Sequence, residues 1–88
     1  MSAEALNRDE VLAKVRGHLS TELEVPVAEI TESTHLRDDL DADSLDLYEL
    51  VMELEDTYGI SVSEEEAAKI DTVGQAVDFV AGRLGVPI

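Results

Sequence analysis

Apolar residues recur at helical spacing in four stretches of the chain, which turn-like or irregular segments separate. The first stretch follows Asn7, which together with Glu10 resembles a capping box. The pattern predicts a helix from about Arg8 to about Leu23, with one apolar side facing the core. That side consists of Val11, Leu12, Val15, Leu19 and Leu23.

Residues 24–43 have no sustained period, and a loop of this length is uncommon in a small domain unless it is functional or anchored. Pro26 opens the loop, and Ser33 with Thr34 predicts a short turn within it. We expect five aliphatic residues to anchor the loop to the core: Val25, Val27, Ile30, Leu36 and Leu40.

The second helical stretch begins at Asp43-Ser44-Leu45, ends at Gly59 and is strongly amphipathic. At 100° per residue, its predicted core side consists of Leu47, Leu50, Val51, Leu54 and Tyr58. The opposite side consists of Asp46, Glu49, Glu53 and Asp56. Leu45 and Met52 project beside these acids, with Tyr48 toward the edge, so the pattern predicts apolar side chains within an acidic stripe that faces solvent. Single exposed apolar residues are common, but apolar anchors ringed by charge also suit a transient protein interface.

Capping boxes also begin the last two helices, Ser63 with Glu66 and Thr72 with Gln75. The third helix is predicted to be short, through about Ile70, and the fourth to end at Gly85 and Pro87. The apolar stripe of the fourth helix is Val73, Ala76, Val77, Val80 and Leu84. The predicted fold is all-α: residues 1–88 form a single domain, a small four-helix bundle of three longer helices and one short helix.

The length and net charge of the chain disfavour several classes of function. A chain of 88 residues builds one modest core and leaves little room for a deep active site, which disfavours catalysis. The formal net charge is −15, and twelve acids and no Lys or Arg lie from Asp38 to Glu66. Such a field repels nucleic acid and anionic membranes and attracts basic protein surfaces, although a solvated acidic segment would have the same composition.

The sequence contains few patterns that indicate secretion, membrane insertion or metal binding. The chain has no cysteine, its first residues lack the pattern of a secretory signal, and no apolar run has membrane length, which predicts a cytoplasmic protein. Asp39, Asp41 and Asp43 imitate the first ligands of an EF-hand loop. Ser44 stands in place of its glycine and Leu50 in place of its bidentate glutamate, so we predict no dedicated metal site.

Ser44 is the candidate reactive residue, because its hydroxyl is placed where the long loop becomes a helix. The amides at a helix N-terminus suit a phosphate group, but the neighbouring carboxylates would repel a free one. A phosphate bonded covalently to the serine avoids that competition, which indicates an attachment point. A serine hydrolase using His18 or His35 is the alternative, but the chain lacks a Gly-x-Ser-x-Gly elbow, and we predict that both histidines lie on the surface.

From about Val11 to Leu84, the sequence resembles the acyl carrier proteins, which carry 4′-phosphopantetheine on the serine of an Asp-Ser-Leu motif. The matching features are Asp43-Ser44-Leu45-Asp46 opening an acidic helix, Asp38-Asp39-Leu40 before it and Thr72-Val73-Gly74 opening the last helix. The chain departs from the family at three positions, with Asp41 where Gly is frequent, Tyr48 where a smaller aliphatic residue is common, and Leu36 where Phe is common.

The resemblance implies a non-catalytic carrier that holds acyl chains as thioesters on a phosphopantetheine arm derived from coenzyme A. The residues it implies for that group are Ser44, which bears it, and the flanking Asp43 and Leu45. The implied docking surface for partner enzymes is Leu45, Asp46, Glu49, Met52, Glu53 and Asp56. Glu22 is acidic but distant in the sequence from Ser44, so its reversal is expected to matter far less.

The implied partners are a phosphopantetheinyl transferase, an acyltransferase, a ketosynthase and other synthase enzymes with basic docking patches. We expect a monomeric carrier for fatty acid biosynthesis. A specialised carrier for polyketide or aminoacyl intermediates is the alternative.

Overall fold

A computed structural model describes residues 7–85, and the predicted all-α fold is confirmed. The four helices are α1 (Arg8–Leu23), α2 (Ser44–Tyr58), α3 (Glu64–Ala68) and α4 (Val73–Leu84). A short 3₁₀-helix (Val27–Glu29) within the long loop was not predicted. Helix α3 ends at Ala68, two residues before the predicted end at Ile70, while Pro87 lies outside the described residues. No helix among residues 7–85 combines the length and apolar character needed to cross a membrane.

Side-chain caps define where the helices begin. Asn7 accepts a hydrogen bond from the Glu10 amide, while Ser63 with Glu66 and Thr72 with Gln75 form reciprocal capping boxes. An additional reciprocal box joins the Asp43 and Asp46 side chains to each other's backbone amides. Gly59 and Gly85 end α2 and α4 in the left-handed conformation, as their sequence positions predict.

Helix α1 packs mainly on α4 and also on α2, whereas the short α3 packs on α2. The core consists of aliphatic side chains from all the longer helices and from the loop. The largest fully buried ones are Val11, Val15, Leu19, Ile30, Leu36, Leu50, Val73, Val77 and Val80. Other predicted core residues lie half-buried at its edge: Leu12, Leu23, Leu47, Tyr58 and Leu84.

The long loop is anchored to the start of α4. Ile30 and Leu36 are buried as predicted, and the Leu36 amide donates to the Asp71 carbonyl at 2.9 Å. The Thr34 carbonyl accepts from the Val73 amide at 3.0 Å. The prediction for Val27 is wrong: it is 45% exposed, because the 3₁₀-helix turns its side chain outward. These bonds hold the loop through its length and so fix the position from which α2 begins.

Asp41 occupies the position at which glycine is frequent in acyl carrier proteins. Its φ of 58° lies in the left-handed region, where an L side chain is strained and glycine is not. We predict that Asp41→Gly raises the free energy of unfolding by about 0.5 kcal/mol, whereas Asp41→Ala lowers it by about 1 kcal/mol. Urea denaturation of both variants measures this, and a destabilised glycine variant would contradict the assignment of strain.

Candidate functional site

Ser44 is the first residue of α2, and its hydroxyl is exposed. Asp43 serves as the N-cap: its Oδ1 accepts from the Asp46 amide at 2.9 Å, and the Asp43 amide donates to Asp46 Oδ2 at 3.1 Å. Because this pair caps the helix, the Ser44 hydroxyl is not needed for that purpose, and it forms no hydrogen bond within residues 7–85. Ala42 is buried just before the cap, so the serine is presented from a fixed backbone.

The geometry around Ser44 fits a covalently attached phosphate. The amides of Ser44 and Leu45 form no hydrogen bond in the described part of the chain, as expected for the first turn of a helix. They provide donors and the positive end of the helix dipole close to the hydroxyl. A group esterified to Ser44 therefore emerges beside two free amides rather than against packed side chains.

A cavity of about 430 Å³ lies between α2 and α3, and Ser44 is one of the residues that line it. Its apolar lining consists of Leu47, Val51, Met52, Val62, Ala67 and Ala68. Arg37, Tyr48 and Glu55 are among the polar lining residues, and Glu55 Oε2 accepts from the Val62 amide at 2.8 Å. The cavity has the size and apolar character of small-molecule pockets, and the candidate attachment point contributes to its lining.

Three apolar side chains of α2 are exposed, at the positions where the helical pattern placed them. Leu45 is 62% exposed, Tyr48 57% and Met52 51%. Tyr48 and Met52 also line the cavity between α2 and α3. They offer apolar contact to a partner that approaches Ser44.

The acidic stripe of α2 is less exposed than its spacing predicts. Asp56 is exposed, whereas Asp46, Glu49 and Glu53 are half-buried, so the predicted stripe faces solvent only in part. Helix α1 covers one side of the stripe, and Lys14 Nζ lies 3.1 Å from Glu53 Oε2. The Lys14 ammonium, which hydrogen-bonds the carboxylate, holds the pKa of Glu53 below its ordinary value.

Glu22 belongs to the same acidic surface, contrary to its expected distance from the site. Carboxylate oxygens of Glu22, Asp46 and Glu49 all lie within 4.8 Å of one another. Hydrogen bonding and charge repulsion from Glu22 raise the pKa of Glu49. Separation in sequence gave no information on this contact, because the C-terminal part of α1 lies against the N-terminal part of α2.

The histidines do not support hydrolysis at Ser44, since neither lines the cavity that contains it. His35 is exposed, as predicted, with Nδ1 3.5 Å from Asp39 Oδ2. The surface prediction for His18 is wrong, because that side chain is half-buried and its Nε2 is enclosed without a hydrogen-bond partner among the described residues. It lies in a crevice with Lys14 and Glu53, so its ring faces α2 and not open solvent.

Asp39, Asp41 and Asp43, which imitate the first ligands of an EF-hand loop, belong to the local structure before and at the start of α2. Asp39 Oδ2 accepts from the His35 amide at 2.7 Å, and Asp43 caps α2. Asp41 adopts a left-handed conformation. Within residues 7–85 the carboxylates of these three aspartates do not converge on a common point.

Crowding of Glu22 with Glu49 predicts a dependence of stability on salt and pH. Because the pKa of Glu49 is raised, its charged form destabilises the folded state at neutral pH. This destabilisation is relieved as pH falls through that pKa. Glu32, Glu53 and Glu66 have pKa values below the ordinary 4.5, so their stabilisation is lost at lower pH. We therefore expect the melting temperature to rise from pH 7 to about 5, to fall below about pH 4, and to rise with added salt at pH 7.

The same crowding is tested by removing one charge. Glu22→Gln should raise the melting temperature at pH 7 by about 2 °C and flatten the rise on mild acidification. Glu29→Gln is the matched control, because Glu29 is exposed in the 3₁₀-helix and forms no ion pair within the described residues. Equal effects of the two variants would mean that net charge alone, and not this contact, sets the pH dependence.

Comparison with known proteins gives consistent matches. The family described as "Phosphopantetheine attachment site" matches residues 13–80. The acyl carrier protein of Rubrobacter xylanophilus is 47% identical over 75 residues, which cover 85% of this chain and 93% of that protein. The acyl carrier protein of Thermotoga maritima is 42% identical over 79 residues, covering 90% and 98% respectively.

A solved structure of the acyl carrier protein from Enterococcus faecalis matches with a TM-score of 0.76 and 42% identity. The match covers 88% of this chain and 98% of that chain. Sequence and fold therefore point to the same group of proteins.

Proposed function

This chain belongs to the acyl carrier protein family, and we propose that it carries acyl chains as thioesters on a 4′-phosphopantetheine arm esterified to Ser44, for the enzymes of fatty acid biosynthesis. Members of the family are non-catalytic carriers that hold phosphopantetheine. The proposal concerns the attachment residue, the pathway and the surface that partner enzymes contact.

The observation that carries the assignment of Ser44 is its free, exposed hydroxyl beside the α2–α3 cavity. Most serines at helix starts serve as caps, but here Asp43 and Asp46 perform that role. Asp43 would thereby hold the first turn in place around the modified residue, and Leu45, exposed next to Ser44, would contact the transferase that modifies it.

The arm supplies a terminal thiol for the acyl thioester, while the protein supplies position and shelter. Apolar residues of α2 and α3 line the same cavity as Ser44. An apolar chain that enters it removes hydrocarbon surface from water, which favours its retention between partner enzymes. No catalytic group is needed for this role.

We propose that partner enzymes dock on Leu45, Asp46, Glu49, Met52, Glu53 and Asp56. Leu45 and Met52 provide apolar anchors, and the acids around them attract Arg and Lys on the partner. The half-burial of Asp46, Glu49 and Glu53 leaves part of each side chain accessible, and Asp56 is fully exposed. Glu22 adds a further carboxylate at the edge of this surface.

The length of the relatives supports a freestanding carrier. The matched residues cover 93% and 98% of the two relatives, which are therefore proteins of about the size of this domain rather than large synthases. We extend to this chain the role of a monomeric, cytoplasmic carrier that serves separate fatty acid synthesis enzymes in turn.

Intact-mass analysis tests the proposal. Protein produced in a host that contains a phosphopantetheinyl transferase should gain the mass of one prosthetic group, and the group on its thiol should be a straight-chain fatty acyl intermediate. An unmodified mass after incubation with coenzyme A and the transferase would contradict carrier function at Ser44. Recovery of a polyketide or aminoacyl thioester would contradict the pathway and favour a specialised carrier.

A further inference from the structure

The six Lys and Arg side chains differ in whether they form an ion pair or hydrogen bond. Four of them form an ion pair or hydrogen bond: Arg8 with Glu32 and Asp78, Lys14 with Glu53, Arg16 with the Val27 carbonyl, and Arg83 with Glu66. Arg37 and Lys69 form neither within residues 7–85. Arg37 is exposed and lies in a chain of net charge −15, so its guanidinium is available to bind an additional anion.

Among residues 7–85, Arg37 is also the only Lys or Arg that lines the cavity containing Ser44. It lies seven positions before Ser44 in a turn whose backbone is fixed, because the Asp41 amide donates to the Arg37 carbonyl at 3.1 Å and the Ala42 amide donates to the Leu36 carbonyl at 3.0 Å. None of the aspartates between Arg37 and Ser44 lines this cavity. Arg37 and Ser44 therefore line one cavity, whereas the aspartates between them do not.

We propose that Arg37 binds the phosphodiester of the phosphopantetheine arm and thereby directs the arm along the α2–α3 cavity. The inference rests on the proposed attachment at Ser44. The planar guanidinium donates two parallel hydrogen bonds to a phosphate group, an arrangement that a lysine ammonium does not reproduce. Glu55 and Glu64 also line the cavity, so a phosphodiester there adds negative charge where only Arg37 supplies a positive one.

The positioning role has a measurable consequence in the unacylated form. Addition of an anion to this acidic chain raises its self-repulsion, and the Arg37 contact offsets that cost. Modification should therefore lower the melting temperature more when Arg37 is replaced than when it is present. The free-thiol form is the appropriate sample, because an acyl chain that entered the cavity would itself change the melting temperature.

A double-mutant cycle measures the contact. The melting temperature is determined for unmodified and modified protein, each with Arg37 and with Arg37→Gln, at low salt. Modification should lower the melting temperature of Arg37→Gln by about 2 to 5 °C more than it lowers that of the parent protein, and the difference should shrink at high salt. Lys69→Gln is the matched control: it removes the same charge from an exposed residue that does not line the cavity, so it should respond to modification like the parent.

Resonances of the arm and of Arg37 provide a readout independent of stability. The ³¹P resonance of the modified protein should shift in Arg37→Gln but not in Lys69→Gln, and the Arg37 Nε–H resonance of the parent should shift on modification. Equal thermal responses of the two variants, or a ³¹P resonance unchanged by Arg37→Gln, would overturn the inference. Modification at Ser44 is confirmed separately by mass, so a protein that is modified but shows no coupling contradicts Arg37 alone and leaves the carrier assignment standing.

Discussion

Ser44→Ala is expected to abolish modification completely, with no mass added after incubation with coenzyme A and a phosphopantetheinyl transferase. The reason is chemical, because alanine has no oxygen to accept the phosphoryl group. The variant should remain folded: Asp43 and Asp46 cap α2, and exposed substitutions that remove no packing or cap usually change stability by less than about 0.5 kcal/mol. Circular dichroism and a melting curve of the same sample measure this.

Ser63→Ala is the matched control, because Ser63 lines the same cavity but is already engaged. Its hydroxyl accepts from the Glu66 amide at 3.1 Å, so its loss should destabilise the protein by about 0.5 to 2 kcal/mol. Modification of this variant should be complete, since Ser44 is intact. A prosthetic group that persists in Ser44→Ala, or disappears in Ser63→Ala, would show that Ser44 is not the attachment residue.

The helices follow from the sequence because local rules determine them. Capping residues such as Ser63 and Thr72, the spacing of Val11, Val15 and Leu19, and the left-handed stop at Gly59 all depend on neighbours within one turn. The exposure of Leu45 and Met52 follows equally from periodicity. Each of these features can therefore be predicted from residues that lie close together in the sequence.

Contacts between separate segments were not predictable in this way. The approach of Glu22 to Glu49 and the enclosure of His18 depend on how closely α1 crosses α2, which no spacing in one helix reveals. Val27 was misassigned because an unrecognised 3₁₀-helix changed the direction of its side chain. The identity of the cap was also open, since Asp43 and Ser44 are both suitable residues at the start of α2.

Glu49→Lys is expected to slow association with partner enzymes and to raise the apparent KM roughly tenfold at low salt. The change replaces an attractive charge on the proposed docking surface with a repulsive one, so the effect should decrease as salt increases. It should not unfold the protein, because a lysine at this position faces Glu22 and removes the repulsion now present there. A melting temperature equal to or above that of the parent would show that the kinetic defect does not arise from lost structure.

Met52→Ala should weaken the same complexes by a different route. Met52 is 51% exposed, and its truncation removes apolar contact area without changing charge, so KM should rise about fivefold at every salt concentration. The contrast in salt dependence separates electrostatic attraction from apolar contact on one surface.

The control for the charge reversal must be an acid remote from Ser44, and the position of Glu22 excludes it from that role. Glu10 is suitable, because it is exposed in the first turn of α1, whereas Glu22, which contacts Glu49, lies near the other end of that helix. At a rise of 1.5 Å per residue, the twelve positions between them separate Glu10 from Glu22 by about 18 Å. Glu10→Lys changes net charge as much as Glu49→Lys does, so it should leave KM within about twofold of the parent. If both reversals slow the transferase and ketosynthase reactions equally, long-range charge alone governs association, and the α2 docking surface is wrong.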